Sequence, residues 1–186
     1  LGPVKWATCA FLANQPDGYA ELGVFNAAFQ WQAALQFLAT VLCTATVPVM
    51  AEQFGAGEVQ ASLRVLRGML AGVTCVTLPV ALLLCLFSPL VMRSYGPAFA
   101  DGYWTMIMLV LAGAVSAVLT PVASAITASG RMWAGFLINT GWAATMLIGG
   151  WYLVQWGAEG LAASRLLAAV IHLVIILIVF PRLVLQ

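Results

Sequence analysis

The sequence predicts an all-α protein, a polytopic bundle of transmembrane helices. Hydrophobic residues make up 63% of the 186 residues, and charged residues only 7%. Soluble domains average about 45–50% apolar and about 25% charged residues, so this chain has too little polar surface to cover a core in water. No charged residue occurs in 22–51, 68–92, 102–130, 132–158 or 166–181. Four of these stretches exceed the ~20 residues that a helix needs to cross a bilayer.

The uncharged stretches and the breaker residues between them set the expected helices. Five full helices are predicted over 25–50, 66–92, 103–127, 132–155 and 160–180. Segments rich in Gly, Pro and polar residues separate them, as in 14–18 and 95–97. The apolar segment 3–12 is too short to span, so we expect the last turns of a helix that starts upstream. We interpret 1–186 as one membrane domain, cut at both ends from a longer protein.

Charge and cysteine usage exclude several classes of function. The formal net charge is +1, which gives no basis for binding a polyanion, and no nucleic-acid partner is expected. The four cysteines, Cys9, Cys43, Cys75 and Cys85, all lie in apolar runs without a CxxC pair. We expect them to be small buried apolar residues, with no metal site and no cofactor.

A stripe of amides and hydroxyls on the first full helix is the main candidate site. It consists of Asn26, Gln30, Gln32, Gln36, Thr40 and Thr44. Side-chain amides that face lipid are costly unless they are paired, so this face should turn inward. Two interpretations stay open: a hydrogen-bonded helix interface, or the wall of a wet cavity. A similar ladder on the third helix, Ser116, Thr120, Ser124 and Thr127, is weaker evidence because hydroxyls can bond to their own backbone.

Ionisable residues inside the membrane are functional candidates by default. His172, the single histidine, lies in the middle of the last helix without an acidic partner at membrane depth. A neutral imidazole bonded across a helix pair is the simpler hypothesis, and a proton relay is the alternative. Arg165 lies near the start of the same helix, where we expect it to reach the headgroups.

Prolines and arginines add two further expectations. Pro48, Pro79, Pro89 and Pro121 fall inside predicted spans and should kink them. Arg64, Arg67, Arg131 and Arg182 fall on one side of the predicted bundle, which is therefore expected to be cytoplasmic.

No catalytic constellation is present, so we expect that the protein is not an enzyme. Ser129 and His172 invite comparison with intramembrane serine proteases, but Thr127 replaces the first Gly of their GxSG motif. No predicted helix carries the mid-span acids that a Mg²⁺-dependent phosphotransferase needs. A membrane subunit that transports nothing stays open as an alternative.

Four segments carry a family resemblance that covers nearly the whole chain. They are 18–31 (GYAELGVFNAAFQW), 95–104 (YGPAFADGYW), 128–139 (ASGRMWAGFLIN) and 157–162 (GAEGLA). In order and spacing they resemble the entries into the eighth, tenth, eleventh and twelfth helices of bacterial polysaccharide-unit flippases. That family is part of the multidrug, oligosaccharidyl-lipid and polysaccharide exporter superfamily. These four segments are characteristic of the family's structure, and none of them is a catalytic motif.

The resemblance implies a twelve-helix exporter of two lobes, of which this chain would be the C-terminal lobe. It also implies a bacterial inner-membrane protein that flips undecaprenyl-diphosphate-linked oligosaccharide for surface polysaccharide, O-antigen or lipopolysaccharide synthesis. The implied partners are that lipid-linked oligosaccharide, membrane lipids, the N-terminal lobe, a polysaccharide polymerase and a chain-length regulator.

Such a substrate needs cations for its diphosphate and a polar wall for its sugars. The stripe supplies the wall, and Arg64 and Arg67 are candidates to meet the diphosphate at the cytoplasmic face. Because the arginines are expected at helix ends, a cationic cavity centre should come mainly from the other lobe. A multidrug extruder of the same superfamily and a lipid II flippase stay open as alternatives.

Overall fold

Helices form all of the regular secondary structure that the computed structural model describes, which is the backbone of residues 2–184 and the side chains of residues 2–180. The α-helices are α1 (Gly2–Ala13), α2 (Gly18–Thr44), α3 (Val47–Gly55), α4 (Val59–Leu86), α5 (Ser88–Ser94), α6 (Tyr103–Ala128), α7 (Met132–Leu153) and α8 (Gly157–Val184). Two 3₁₀ segments, Pro97–Gly102 and Val154–Trp156, precede α6 and α8. The predicted all-α class is therefore confirmed.

Two of the predicted helices are each broken near their C-terminal ends. The helix predicted over 25–50 begins earlier, at Gly18, because Asp17 takes a left-handed conformation (φ 56°) that ends the preceding turn. It stops at Thr44, and α3 continues at an angle of 43° to α2. The helix predicted over 66–92 likewise divides into α4 and α5.

Proline explains both breaks. Pro48 lies in the first turn of α3 and Pro89 in the first turn of α5. A proline lacks the backbone N–H, so it fits a first helical turn, where that donor has no partner within the helix. These two prolines therefore start new helices, whereas Pro79 and Pro121 lie inside α4 and α6.

Successive long helices run in alternating directions. A Cβ added at Gly102, just before α6, would meet Val24 of α2, and Glu21 of α2 contacts the start of α8. The first residues of α2, α6 and α8 therefore meet at one end. At the other end Met50, Leu66 and Ala125 form a buried cluster, which joins α3, the first turns of α4 and the end of α6.

The centre of the bundle is α6. It packs against α2, α4 and α8. In the most apolar 18 residues of the stretch Pro97–Ala128, which contains α6, 56% of the residues are buried, compared with 17% for α4. Close contacts between small residues join the outer pair α7 and α8, where a Cβ on Gly149 would lie 3.2 Å from Ser164. Small residues at such contacts are typical of helix packing in membranes.

Long apolar helices in the described part of the chain qualify as membrane spans. Three stretches are long and apolar enough to cross a membrane: Val59–Leu86, Pro97–Ala128 and Met132–Phe180. The bent pair α2–α3 would be a fourth if it forms one span. The stretch Met132–Phe180 is 49 residues long and contains both α7 and α8. Gly141 of α7 faces Ile175, and Gly149 faces Ser164, so α7 and α8 run antiparallel within it.

Candidate cavity between the membrane helices

A cavity of about 440 Å³ lies between five of the helices, and its wall combines apolar side chains with amide, hydroxyl and ionisable ones. Its volume falls in the range of roughly 300–1,000 Å³ that is typical of ligand sites. The described lining comes from α1 (Gly2, Lys5), α2 (Phe29, Gln32, Gln36, Thr40), α6 (Ser116, Leu119, Thr120, Ala123), α7 (Asn139, Trp142) and α8 (Arg165, His172). Thr40, Ala123 and Asn139 are exposed, so the cavity opens at the surface of the described residues.

The wall formed by α2 is both a helix interface and a cavity surface. Gln32 is 1% exposed, and its Cγ would lie 2.9 Å from a Cβ on Gly113, so it packs directly on the backbone of α6. Its Oε1 is buried without a hydrogen-bond partner in the described part of the chain. Gln36 is half-buried and lies one turn further along the same wall. The wall thus combines a packed contact with α6 at Gln32 and a cavity surface at Gln36, and Gln32 Oε1 lacks the hydrogen bond expected at a helix interface among the described residues.

The hydroxyls of this wall are satisfied locally. Thr40 donates to the carbonyl of Gln36 at 2.8 Å, and Thr44 donates to the carbonyl of Thr40 at 2.8 Å. Thr120 of α6 donates to the carbonyl of Ser116 at 3.1 Å in the same manner. Each hydroxyl uses its proton in this bond and keeps acceptor capacity, and Thr40 and Thr120 line the cavity.

The structure separates the predicted stripe into two faces. Gln32, Gln36 and Thr40 line the cavity, and Thr44 lines an adjoining space of about 290 Å³ with Thr40 and Thr120. Asn26 and Gln30 are exposed and do not line this cavity. A two-residue offset turns a side chain by about 200° around a helix, so Gln30 and Gln32 point to opposite sides.

Arg165 corrects the expectation that the arginines lie at helix ends. It is 8% exposed and lines the cavity, so its side chain is enclosed by the bundle. At 1.5 Å per residue it lies about 12 Å from the start of α8, inside the bundle. The expectation failed because α8 packs against both α6 and α7, which encloses this face of its second and third turns.

Two cations share one aromatic ring at this end of the cavity. The Nζ atom of Lys5 lies 3.6 Å from the centroid of Phe29, and the Cζ atom of Arg165 lies 4.7 Å from the same centroid. The ring's negative face attracts both charged groups. The chain therefore supplies two cations to its own cavity, whereas its arginines were expected at helix ends.

His172 faces the same cavity as Arg165. The two residues are seven positions apart, which is two turns of α8, so they share a face. His172 is half-buried, and Asn139 and Trp142 of α7 line the cavity with it. The imidazole thus lines the cavity together with the amide of Asn139 and the indole of Trp142 in the described part of the chain.

Arg64 and Arg67 lie apart from this cavity. Both are exposed on the first turns of α4, a helix that contributes none of the described lining residues. They lie near the end of the bundle formed by α3 and the last turn of α6.

A carboxylate fixes the start of α8 against α2. Glu21 Oε2 accepts a hydrogen bond of 2.7 Å from the backbone N–H of Ala158. Gly157 has φ 65°, and a Cβ there would lie 2.6 Å from Glu21 Oε2. An acid at a helix N-terminus satisfies a free N–H and complements the helix dipole. This contact joins two helices that form opposite parts of the cavity wall.

Sequence reasoning missed Lys5 and Phe29 as parts of the site. A lysine inside the apolar segment 3–12 was a usable signal, because an ionisable side chain at membrane depth needs a reason. Phe29 gave no signal, since one phenylalanine among many apolar residues does not stand out.

Comparison with known proteins points to one kind of relative. The chain is 30% identical over 138 residues to the EPS I polysaccharide export inner membrane protein EpsE of Ralstonia nicotianae. It is 28% identical over 135 residues to the protein of the same name from Ralstonia solanacearum. Each alignment covers 72% of this chain and 31% of the relative, so the chain spans about a third of the length of these curated relatives. No protein-family model and no solved structure matches the chain significantly.

The membrane helices and the names of the relatives together indicate where the protein is located. The described chain has several helices able to cross a bilayer, and the relatives are named inner membrane proteins. The protein is therefore a multi-pass protein of the bacterial inner membrane.

Proposed function

We propose that the protein takes part in polysaccharide export by moving lipid-linked oligosaccharide units from one leaflet of the inner membrane to the other. It would act as a carrier and not as an enzyme. The observation that carries this proposal is the cavity of about 440 Å³, whose α2 wall presents the polar side chains Gln32, Gln36 and Thr40 between membrane helices. The names of the two relatives support the same direction.

The chemistry of the cavity suits sugars. Amides offer both donors and acceptors to sugar hydroxyls, and the Thr40 and Thr120 oxygens add acceptors. Trp142, which lines the cavity, adds an aromatic surface with one polar group. A cavity that crosses between two leaflets would let the sugars avoid hydrocarbon, where each unpaired polar group is costly.

Alternating access supplies the mechanism in this proposal. The described helices form one side of a path, and the rest of a longer protein would form the other. A polymerase and a chain-length regulator would then act on the delivered units. His172 stays a candidate proton relay for such a cycle.

Deletion and complementation in the bacterium that carries the protein test the proposal. Deletion should abolish surface polysaccharide and leave lipid-linked units in the inner leaflet. Complementation with Gln36→Leu should restore export about three- to tenfold less well than wild type, because one or two hydrogen bonds to sugar are lost. Phe37→Leu is the matched control: Phe37 is adjacent and 67% exposed, so it should restore export fully.

The same experiment separates the main alternative. A multidrug extruder of the same superfamily would leave surface polysaccharide intact on deletion and raise sensitivity to cationic drugs. That result would contradict the proposal.

A further inference from the structure

A further cavity, of about 330 Å³, lies where α1 and α7 end, outside the central cavity. Its described lining consists of two aromatic rings, two amides and one aliphatic side chain: Phe11, Asn14, Gln15, Trp151 and Val154. None of these side chains is charged. The volume is at the lower end of the roughly 300–1,000 Å³ that is typical of ligand sites, so the space suits a small ligand. We call it the α1–α7 cleft.

The α1–α7 cleft opens beyond a tight contact between its two helices. A Cβ on Gly150 would lie 3.1 Å from Thr8, so α1 and α7 touch closely just before the cleft. Phe11 and Trp151 then meet edge to face, with ring centroids 5.3 Å apart and an interplanar angle of 86°. Arg131 precedes α7 at the opposite end, on the side expected to be cytoplasmic, so the cleft lies on the side expected to be outer.

The two ends of α7 carry the same kind of aromatic pair and can be compared. Trp133 and Phe136, at the start of the helix, also meet edge to face, at 6.0 Å and 83°. Aromatic rings at headgroup depth are expected of any membrane helix, which is enough to explain that pair. Trp133 lines none of the three cavities described above, whereas Trp151 lines the α1–α7 cleft together with two amides. Membrane anchoring alone does not explain this second arrangement.

The amides of the cleft lie on a turn whose backbone is held in place. The N–H of Gln15 donates to the carbonyl of Leu12 at 3.0 Å, and the carbonyl of Gln15 accepts from the N–H of Gly18 at 2.9 Å. Asn14 Nδ2 donates to the carbonyl of Ala10 at 2.7 Å, which leaves Asn14 Oδ1 as an acceptor. The Gln15 amide can offer both a donor and an acceptor. The cleft therefore holds polar groups of both kinds beside an indole that is 65% exposed.

We propose that the α1–α7 cleft is a binding site for a neutral sugar ring on the outer side of the membrane. The C–H face of the ring would stack on Trp151, and its hydroxyls would hydrogen-bond to Asn14 and Gln15. The site would hold a sugar of the saccharide unit after the unit has reached the outer leaflet. The identity of this cargo rests on the proposed function, whereas the cleft itself rests on its lining.

The chemistry of the lining favours a neutral sugar over the other small groups found at a membrane surface. The face of an aromatic ring is negative, so it attracts the weakly positive C–H groups on one side of a sugar ring. Amides donate and accept, as hydroxyls do. A phosphate headgroup would find no cation in the described lining, and an acyl chain would leave the amides without partners.

Saturation-transfer-difference NMR on the intact protein tests the proposal, with the methyl glycosides of glucose, galactose and N-acetylglucosamine as probes. A zwitterionic detergent is required, because a maltoside detergent would itself compete for a sugar site. Trp151→Leu should lower the saturation transferred to the bound probe at least about fivefold, since the stacking surface is lost. Trp133→Leu is the matched control at the other aromatic pair, and it should change the signal less than about twofold.

Two further variants separate the roles of the ring and the amide. Trp151→Phe should keep most of the signal, because an aromatic face remains. Gln15→Leu should lower the signal about threefold, because a hydrogen bond to the sugar is lost. Gln15→Leu also makes the test on its own if Trp151→Leu does not fold.

The proposal is overturned if no glycoside receives saturation, or if Trp151→Leu and Trp133→Leu lower the signal equally. A signal that falls in Gln36→Leu and not in Trp151→Leu would place the sugar in the central cavity alone. That result would support the proposed function and overturn the inference for the α1–α7 cleft.

Measurements of export distinguish failure of this inference from failure of the proposed function. If deletion abolishes surface polysaccharide but no glycoside binds, the proposed function holds and the sugar site in the cleft does not. If binding depends on Trp151 but deletion leaves surface polysaccharide intact, the cleft is a sugar site and the proposed function is wrong.

Discussion

Arg67 and Arg165 occupy equivalent positions in their helices and have opposite surroundings. Each lies eight residues after the first residue of its helix, Val59 for α4 and Gly157 for α8. Arg67 is exposed, whereas Arg165 is 8% exposed and contacts Phe29. The difference arises because α8 packs against α6 and α7, while most of α4 faces outward. The place of a helix in the bundle, and not the depth of the residue along it, sets the role of its charge.

Reversing the charge of each arginine should give the largest difference in polysaccharide export between the two sites. Arg165→Glu would replace a cation of the cavity wall with a carboxylate, which would repel the diphosphate of the proposed lipid-linked cargo at a cost of several kcal/mol. We expect surface polysaccharide to fall about 100-fold or more in cells that carry Arg165→Glu. Arg67→Glu should change it less than twofold.

The measurement is surface polysaccharide per cell, with both variants matched for membrane abundance by immunoblot. Equal losses in the two variants would mean that the burial of Arg165 has no functional consequence.

Glycine substitutions should show how firmly the start of α8 is held. Gly157 and Gly130 both have positive φ, 65° and 73°, so an added Cβ strains either backbone by about 1 kcal/mol. Only at Gly157 would the Cβ also meet Glu21, at 2.6 Å. We therefore expect Gly157→Ala to destabilise the protein by about 2–3 kcal/mol, including loss of the cap, and Gly130→Ala by about 1 kcal/mol.

Thermal or chemical denaturation in detergent gives both values. Combining Gly157→Ala with Glu21→Ala should recover part of the excess, because the clash then disappears. No difference between the two glycine variants would exclude the close approach of Glu21 to α8.

The smallest effect is expected for a threonine of the cavity wall. The Thr40 hydroxyl donates to the carbonyl of Gln36, so Thr40→Val removes a bond that the helix does not need. Stability should change by less than about 0.5 kcal/mol, and export less than twofold. An effect of Thr40→Val on polysaccharide export as large as that of Gln36→Leu would show that the single hydroxyl oxygen contributes as much to cargo binding as the amide.

The sequence predicted the all-α class of the bundle, and its interior only in part. Long uncharged runs identify membrane helices because the bilayer imposes one length and one polarity on them. The breaks at Pro48 and Pro89 were predicted as kinks inside spans, and they are helix starts in the structure. A proline in the sequence does not tell whether a helix will kink or a new helix will start there, because its lack of a backbone N–H is compatible with both.

The cavity shows where sequence reasoning ends. The four-residue spacing of Gln32, Gln36 and Thr40 placed them on one face, and the structure brings them to one cavity. The pairing of Lys5 with Arg165 over Phe29 joins residues more than 130 positions apart, so no local pattern contains it. Asn26 and Gln30 were grouped with the stripe because the six residues cover about half of the helix circumference, but these two precede the part of α2 that lines the cavity.

Water access to α2 tests the central claim most directly. In a background where the four cysteines are replaced by alanine, Gln36→Cys and Phe37→Cys place single thiols on adjacent residues of α2. A polar, membrane-impermeant thiol reagent should label Gln36→Cys in the intact protein, since Gln36 lines the cavity. Phe37→Cys should resist, since Phe37 is 67% exposed on the outer face and would meet lipid. Resistance of Gln36→Cys, or equal labelling of both positions, would contradict a water-filled cavity along this helix.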